Sequence, residues 1–442
     1  MEGLAAVSYG RQKLSFDDAL KEATDSYFQG GDLDEALLFR SVEFLSRQKE
    51  DFYPSLCALL FLRKFSAIKN EKLDHELYSL IALGKREFLG GSLLLQEGYA
   101  ALANYLFFGS QIKGFQFKQL EKGGILFRDP FPHLLENAEL GLLASYLGKE
   151  WNDEDLLGKG EKLCKFFQLL IGQSGTLFPG IWIPEEEYHE KLIEIVDLLV
   201  NDKSEPHSPY LRLMKQGLGH LPSKQSHRFL MDRSLAFLKY EGKELSMIAS
   251  LAGKKTGIGS LKKGEVSIVS MGPHFAPLAD SEYYGIFRPS NGSQEGFKDL
   301  LIESEEGRGK IEGWTRMISP DEGDLSQSYL HIHLMAKKEE VSLKIRRSHK
   351  GEKELHFVFF VSADHAEVEE GKTFFPKALN RFEGASQKIF FKKGESFLEI
   401  LPHFEGEMKV IPLAGGTHFW SANFLVAFSI SKILFPYSWT IK

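Results

Sequence analysis

The spacing of apolar residues changes once along this 442-residue chain, near residue 225, from recurrence every three or four positions to strict alternation. The two periods belong to different backbones. A helix brings residues three and four apart onto one face, whereas a strand sends neighbouring residues to opposite faces. A single late switch restricts the chain to a helical array followed by a large antiparallel sheet. We expect a multidomain α-then-β protein: a helical domain over residues 1–222 and an antiparallel β-sandwich domain over residues 223–442. The length agrees, because single hydrophobic cores stop growing beyond about 250–300 residues.

In the first half, Ser15 with Asp18 and Asp32 with Glu35 have capping-box spacing and should start two helices, separated by the stop signal Gly30-Gly31. Apolar residues at helical spacing predict further helices over 54–67, 72–89, 92–108, 132–147, 153–171 and 184–200. No sequence repeat links them. Long helices joined by Gly- and Pro-bearing loops suit pairs curling into a partial α/α toroid, with a plain helical solenoid as the alternative.

Composition narrows the function classes. Apolar residues make up 43% and charged residues 26%, as in a soluble globular protein, and 36 Phe point to aromatic cores or aromatic-lined grooves. The net charge of −7 argues against nucleic acid, whose phosphates call for a basic field. It also disfavours polyanionic ligands unless a local basic cleft overrides the mean. Cys57 and Cys164 lie in apolar helical runs and read as buried thiols, with no disulfide framework. Glu2 stands where a signal peptide carries basic residues, so a cytoplasmic location is expected. The uncharged stretch 413–431 alternates Trp420, Ala422, Phe424, Val426, Phe428 and Ile430 with Ser421, Asn423, Ser429 and Ser431 at several points, which predicts a strand and not a membrane span.

Two long aromatic loops interrupt the helical half: 114–133, with Arg128, Phe131 and His133, and 172–189, with Trp182, Tyr188 and His189. Aromatic faces stack on the apolar faces of sugar rings, and Arg or His reaches hydroxyls and carboxylates, so the loops are candidate walls of a groove. Such residues also serve to seal helix ends into a core.

From Ser226 onward short alternating runs are separated by Gly turns, as in Leu261-Lys262-Lys263-Gly264-Glu265-Val266 and Phe391-Lys392-Lys393-Gly394-Glu395-Ser396. Val341, Leu343 and Ile345 alternate with Ser342, Lys344 and Arg346, and Leu355, Phe357, Phe359 and Val361 mark another half-buried strand. Ten or more such strands imply a large antiparallel sandwich.

Phe229-Leu230-Met231-Asp232-Arg233, followed by Leu245-Ser246-Met247-Ile248-Ala249-Ser250, resembles the entry into the β-sandwich of hyaluronate and chondroitin lyases. Gly272-Pro273-His274 is similar to a glycine-proline-histidine turn in heparinase-like and alginate lyases. Both groups of polysaccharide lyases pair an α/α toroid with an antiparallel sandwich, and the resemblance implies that order here. The sequence departs from the pattern after the turn, where Phe275-Ala276-Pro277-Leu278-Ala279-Asp280 replaces a second histidine and aspartate, and the tryptophan motif of the hyaluronate lyase toroid is absent.

The implied chemistry is β-elimination on a uronic-acid glycan, which needs a base, an acid and a group that stabilises the enolate. Tyr188, His189, His133 and His274 are the candidate catalytic residues; Trp182, Phe131, Arg128 and Arg288 are the candidates for holding the sugar and its carboxylate. Each also has an ordinary packing or capping role open to it. His331 and His333 share one strand face opposite Leu330, Ile332 and Leu334, and with His274, His365 or Asp364 as a third ligand would hold zinc; otherwise they are a solvent-facing surface. Paired carboxylates such as Glu185, Glu186 and Glu187 would instead suit a glycoside hydrolase, or a helix start. Residues 253–259 lack the glycine spacing of a phosphate-binding loop. The expected partner is a glycan or small saccharide, with no nucleic acid and no membrane; a non-catalytic protein-interaction role on the same scaffold is the alternative.

Overall fold

The computed structural model describes residues 16–30, 33–47, 52–87, 93–111, 127–128, 131–132, 134–171, 190–200, 205–219, 229–232, 236–251, 257–276, 278, 292, 294–305, 307–319, 323–349, 353–378, 380–413, 422–432 and 435–442. Among them the helices are α1 (Phe16–Phe28), α2 (Glu35–Leu45), α3 (Phe52–Ser66), α4 (Glu71–Glu87), α5 (Leu93–Phe108), α6 (Leu134–Trp151), α7 (Glu154–Leu169), α8 (Glu190–Val200) and α9 (Pro209–Leu218). A short hairpin, β1 (Phe127–Arg128) and β2 (Phe131–Pro132), lies between α5 and α6. Eighteen further strands follow: β3 (Phe229–Asp232), β4 (Phe237–Glu241), β5 (Leu245–Ser250), β6 (Gly259–Lys263), β7 (Val266–Phe275), β8 (Lys298–Glu305), β9 (Arg308–Ile318), β10 (Leu325–Lys337), β11 (Glu340–Arg347), β12 (Leu355–Ser362), β13 (His365–Val368), β14 (Thr373–Phe374), β15 (Phe382–Ala385), β16 (Ile389–Lys393), β17 (Ser396–Pro402), β18 (Glu407–Pro412), β19 (Phe424–Ser429) and β20 (Tyr437–Ile441). The chain is a helical array followed by a large antiparallel sandwich. It forms two compact units, Met1–Lys165 with Glu194–Ser223, and Phe166–Ile193 with Lys224–Lys442.

The helical unit is built around α3 and α6, which are buried on nearly every side; α3 carries apolar residues nearly all round, while α6 also buries Glu136, Asn137 and Glu139. Helix α6 meets α7 along a seam of small residues. A Cβ on Gly148 would lie 2.6 Å from the Leu157 backbone nitrogen, and one on Gly160 would lie 2.8 Å from that of Ser145. The capping prediction shifts at α2: Asp34, not Asp32, is the N-cap, its Oδ1 accepting the Ala36 N–H at 2.8 Å. Helix α9 was not anticipated by the apolar spacing, although Ser208 precedes it, Pro209 opens it and Gly219 closes it at φ +66°.

The sandwich consists of two nine-stranded sheets among the described residues. One, in the order β14-β13-β16-β17-β20-β11-β10-β9-β8, is here called the open sheet; the other, β15-β18-β19-β12-β7-β6-β5-β4-β3, the covered sheet. Between them lies a continuous core that includes Leu261, Ile332, Leu343, Phe357, Phe359, Phe428 and Trp439. In the open sheet, β9 and β11 alternate buried and more accessible residues, as period-two patterning requires.

The covered sheet differs. Strand β12, expected to be half-buried, is buried on both faces: Phe357 and Phe359 enter the central core, while Val358 and Phe360 join a second layer with Val269, Leu278, Leu413, Ala422, Leu425 and Ala427. Lys239 of β4, also on the outer face, is nearly fully buried. It pairs with Glu241 at 2.9 Å and donates to the carbonyls of Gln168, at 3.2 Å, and Ile171. Such a pair persists in the interior because every charge finds a partner.

The Gly272-Pro273-His274 segment is not a turn, as its resemblance implied, but the end of strand β7. The Ala276 N–H bonds the Glu354 carbonyl at 3.0 Å, and the antiparallel ladder alternates, so Pro273 opposite Phe357 falls at a non-bonded pair. Its missing N–H therefore faces the side where β6 has already stopped pairing, at Met271.

Candidate functional site

Of the residues expected at a site, His133, Trp182, Tyr188, His189 and Arg288 lie outside the described residues. Arg128 and Phe131 stand opposite one another in the β1–β2 hairpin register. The surroundings of His274 are defined, and they show a ring enclosed on the outer face of the covered sheet.

His274 is 3% exposed and faces His356, equally buried, across the β7–β12 ladder. Its Nδ1 lies 3.3 Å from the Gly272 carbonyl oxygen. A carbonyl only accepts, so this contact places the proton on Nδ1. The Phe360 ring meets it edge-on at 6.1 Å, and Gly292 closes over the other nitrogen so tightly that a Cβ there would come within 2.5 Å of Nε2. Burial pushes His274 down to about 4, with the Gly272 carbonyl opposing and His356 adding to the shift. Burial likewise lowers His356, whose Nε2 is 3.3 Å from Glu354 Oε1; Glu354 and Glu407 oppose that shift and Lys409 adds to it. Both rings are neutral near pH 7. A group with so low a proton affinity is a weak general base there.

His331 and His333 do project from the outer face of the open sheet, with Leu330, Ile332 and Leu334 in the core. His331 packs against Trp314 with ring centroids 4.6 Å apart, and His333 Nδ1 lies 3.6 Å from a Glu312 oxygen. Burial lowers both histidines. The zinc expectation fails on distance: His365 opens β13 and Asp364 precedes it, five strands from β10, roughly 24 Å at sheet spacing. His274 belongs to the other sheet. Among the described residues no group of three or more His, Cys, Asp or Glu could hold a metal ion.

A constellation that the sequence did not suggest occurs in the helical unit. Tyr105 of α5 donates to Glu150 of α6 at 2.5 Å, and Lys64 of α3 reaches the same carboxylate oxygen at 3.0 Å. The Lys64 ammonium also sits 4.6 Å from the Tyr105 ring centroid and 3.4 Å from the Tyr146 hydroxyl. Burial, then the Glu150 carboxylate, pushes Tyr105 up to about 12, and burial raises Tyr146 as well. Burial would raise Glu150, but the Tyr105 hydroxyl and Lys64 outweigh it and hold the carboxyl below its usual range. Tyr105 thus keeps its proton near pH 7, and holding it so firmly makes it a poor general acid as well as no base. Positions 64, 105 and 150 have no motif spacing; the one local sign was Tyr146 and Glu150 on one turn of α6.

No protein-family model matches the sequence, and no curated protein matches it. Solved structures do. The fold is similar to that of a Paenibacillus xanthan lyase, with TM-score 0.52 and 9% identity over 98% of this chain and 54% of that one. It is also similar to the chondroitin AC lyase of Streptomyces coelicolor A3, with TM-score 0.51 and 8% identity over 96% of this chain and 74% of the other. The chain has the polysaccharide lyase fold. It spans about half the length of the xanthan lyase. At such identity the likeness lies in the path of the backbone, and no side-chain role transfers with it. Among the described residues, no helix of the lyase fold is long and apolar enough to cross a membrane.

Proposed function

We propose that this chain is a carbohydrate-active protein that takes a uronic-acid-containing glycan and cleaves it by β-elimination. The observation that supports this reading is the lyase fold, matched along 98% and 96% of the chain in two lyases. In the reaction a base removes the carbon-bound proton beside the carboxylate. The electron pair forms a carbon–carbon double bond as the bond to the glycosidic oxygen breaks, and an acid protonates the leaving oxygen. Tyr188 or His189 is assigned as the base, with His133 as an acid. Arg128 and Arg288 neutralise the carboxylate, while Trp182 and Phe131 stack on sugar rings. His274, enclosed as it is, positions the end of β7 in this scheme.

The test is incubation with a panel of uronic-acid polymers, read at the ultraviolet band of the unsaturated product. Product that disappears in Tyr188→Phe or His189→Ala supports the assignment. Absence of product from every polymer, with glycan binding retained, leaves a binding protein without catalysis. Absence of both removes the carbohydrate reading in favour of an interaction scaffold.

A further inference from the structure

The two Lys-Lys-Gly-Glu hairpins that mark the sequence of the sheet half lie side by side. Both are two-residue turns, Lys263 pairing with Val266 and Lys393 with Ser396, and both place glycine at positive φ, Gly264 at +57° and Gly394 at +54°. They belong to different sheets and interlock: the Ser396 hydroxyl accepts the Glu265 N–H at 3.0 Å. Burial, then the neighbouring Lys393 ammonium, holds Lys262 below its ordinary value, with Glu265 opposing.

Beside this joint is a depression of about 520 Å³ lined by Lys263, Lys337, Lys338, Lys442 and Phe397, with Met335, Ser342 and the acidic Glu339 and Glu340 also in its wall. The Phe397 ring is 56% exposed, with the Lys263 ammonium 4.4 Å from its centroid. The Glu339 carboxylate is anchored on the backbone N–H groups of Lys243, Glu244 and Leu245 at 2.5, 3.0 and 2.8 Å, whose dipoles offset part of the charge it sets against the lysines. Glu340 stands opposite Lys337 in the β10–β11 register. The depression therefore has four lysines against two glutamates and an exposed aromatic ring in its wall, in a chain of net charge −7.

We infer that this hollow is an anion-selective saccharide site formed wholly within the sandwich unit, taking one or two residues of an acidic glycan. Phe397 stacks on the apolar face of a sugar ring, and Lys263, Lys337 and Lys338 pair with its carboxylate or sulfate groups, while Lys442 is already engaged by Glu399 at 3.6 Å. The volume fits a short saccharide segment. Lysine ammoniums act as point charges that accept either anion, so the site reads charge and ring face more than linkage. The inference rests on the acidic-glycan reading above and adds a contact that the cleavage chemistry does not require.

The Met335 methyl group supplies a local probe. With methyl-labelled methionine in the full chain, a chondroitin sulfate hexasaccharide should shift the Met335 resonance, identified through Met335→Leu, and the shift should weaken as salt rises. Phe397→Ala and Lys263→Glu, both surface changes, should each weaken that titration by about tenfold. Unaltered titration in both variants would overturn the site while leaving the lyase reading standing, since product release from polymer is measured separately. Equal shifts with neutral maltohexaose, or with oligothymidylate of matched charge, would overturn its assignment to acidic glycans. A wild-type protein that neither cleaves any acidic polymer nor shows the Met335 shift would remove both proposals together.

Discussion

The two sheets of the sandwich have the same number of described strands and share one core, yet they handle their second faces differently. In the open sheet the outer face carries rows set by register, Trp314-His331-Arg346 and Glu312-His333-Lys344, whose residues are half-buried or exposed. In the covered sheet the same outward positions hold Val358, Phe360, His274, His356 and Lys239, all buried. An ionisable group in the first setting keeps company with solvent and counter-charges. In the second it must stay neutral or be fully paired. The titration of His274 and the pairing of Lys239 follow from that difference in cover.

Truncation should expose the contrast most strongly. Phe360→Ala removes a ring that is 1% exposed on the covered face and should cost about 3–5 kcal/mol in denaturant unfolding. A loss under about 1 kcal/mol would mean that the second layer is loosely packed.

The next effect is a pH dependence. His274 titrates at about 4 in the folded chain against 6.5 when unfolded, so the unfolded state takes up a proton first as pH falls. Stability from this group is complete above about 6.5, declines between there and 4, and is flat below, for a total of about 3 kcal/mol. His356 acts in the same direction. The difference between wild type and His274→Asn, followed as unfolding free energy against pH, should therefore shrink across that window. A constant difference would show that the ring is protonated as easily folded as unfolded.

The smallest effect belongs to the open sheet. Lys344→Ala, at an exposed position opposite His333, should change stability by no more than about 0.5 kcal/mol. A larger change would make the open face less open than its accessibility indicates.

This contrast also explains what could be read from residues alone. Strict alternation in Val341 to Arg346 announced a one-sided strand, and that is what β11 is. In 355–362 the same apolar alternation was visible, but Val358 and Phe360 filled the intervening positions because the strand has two interiors. The order of helices before sheets was legible because it depends only on period. Helix α9 is too short for apolar spacing to mark it, although Ser208, Pro209 and Gly219 are proper boundary residues. At the candidate site, His331 and His333 were correctly placed on one face, since that follows from local geometry. Their distance from Asp364 and His365 depends on strand order, which no spacing in the sequence encodes. The Lys64, Tyr105 and Glu150 cluster was hidden for the same reason: three helices must first pack.

The interlocked turns have a mechanical consequence. Gly264 has no room for a side chain against Ser396, so the first loop is cut to the outline of the second, whereas a Cβ on Gly394 would meet the movable end of the Glu265 side chain, with Oε2 2.9 Å away. Sliding one slab past its neighbour would have to open that joint, which makes this end of the sandwich a fixed corner. A substitution in either loop should consequently be felt in both layers at once.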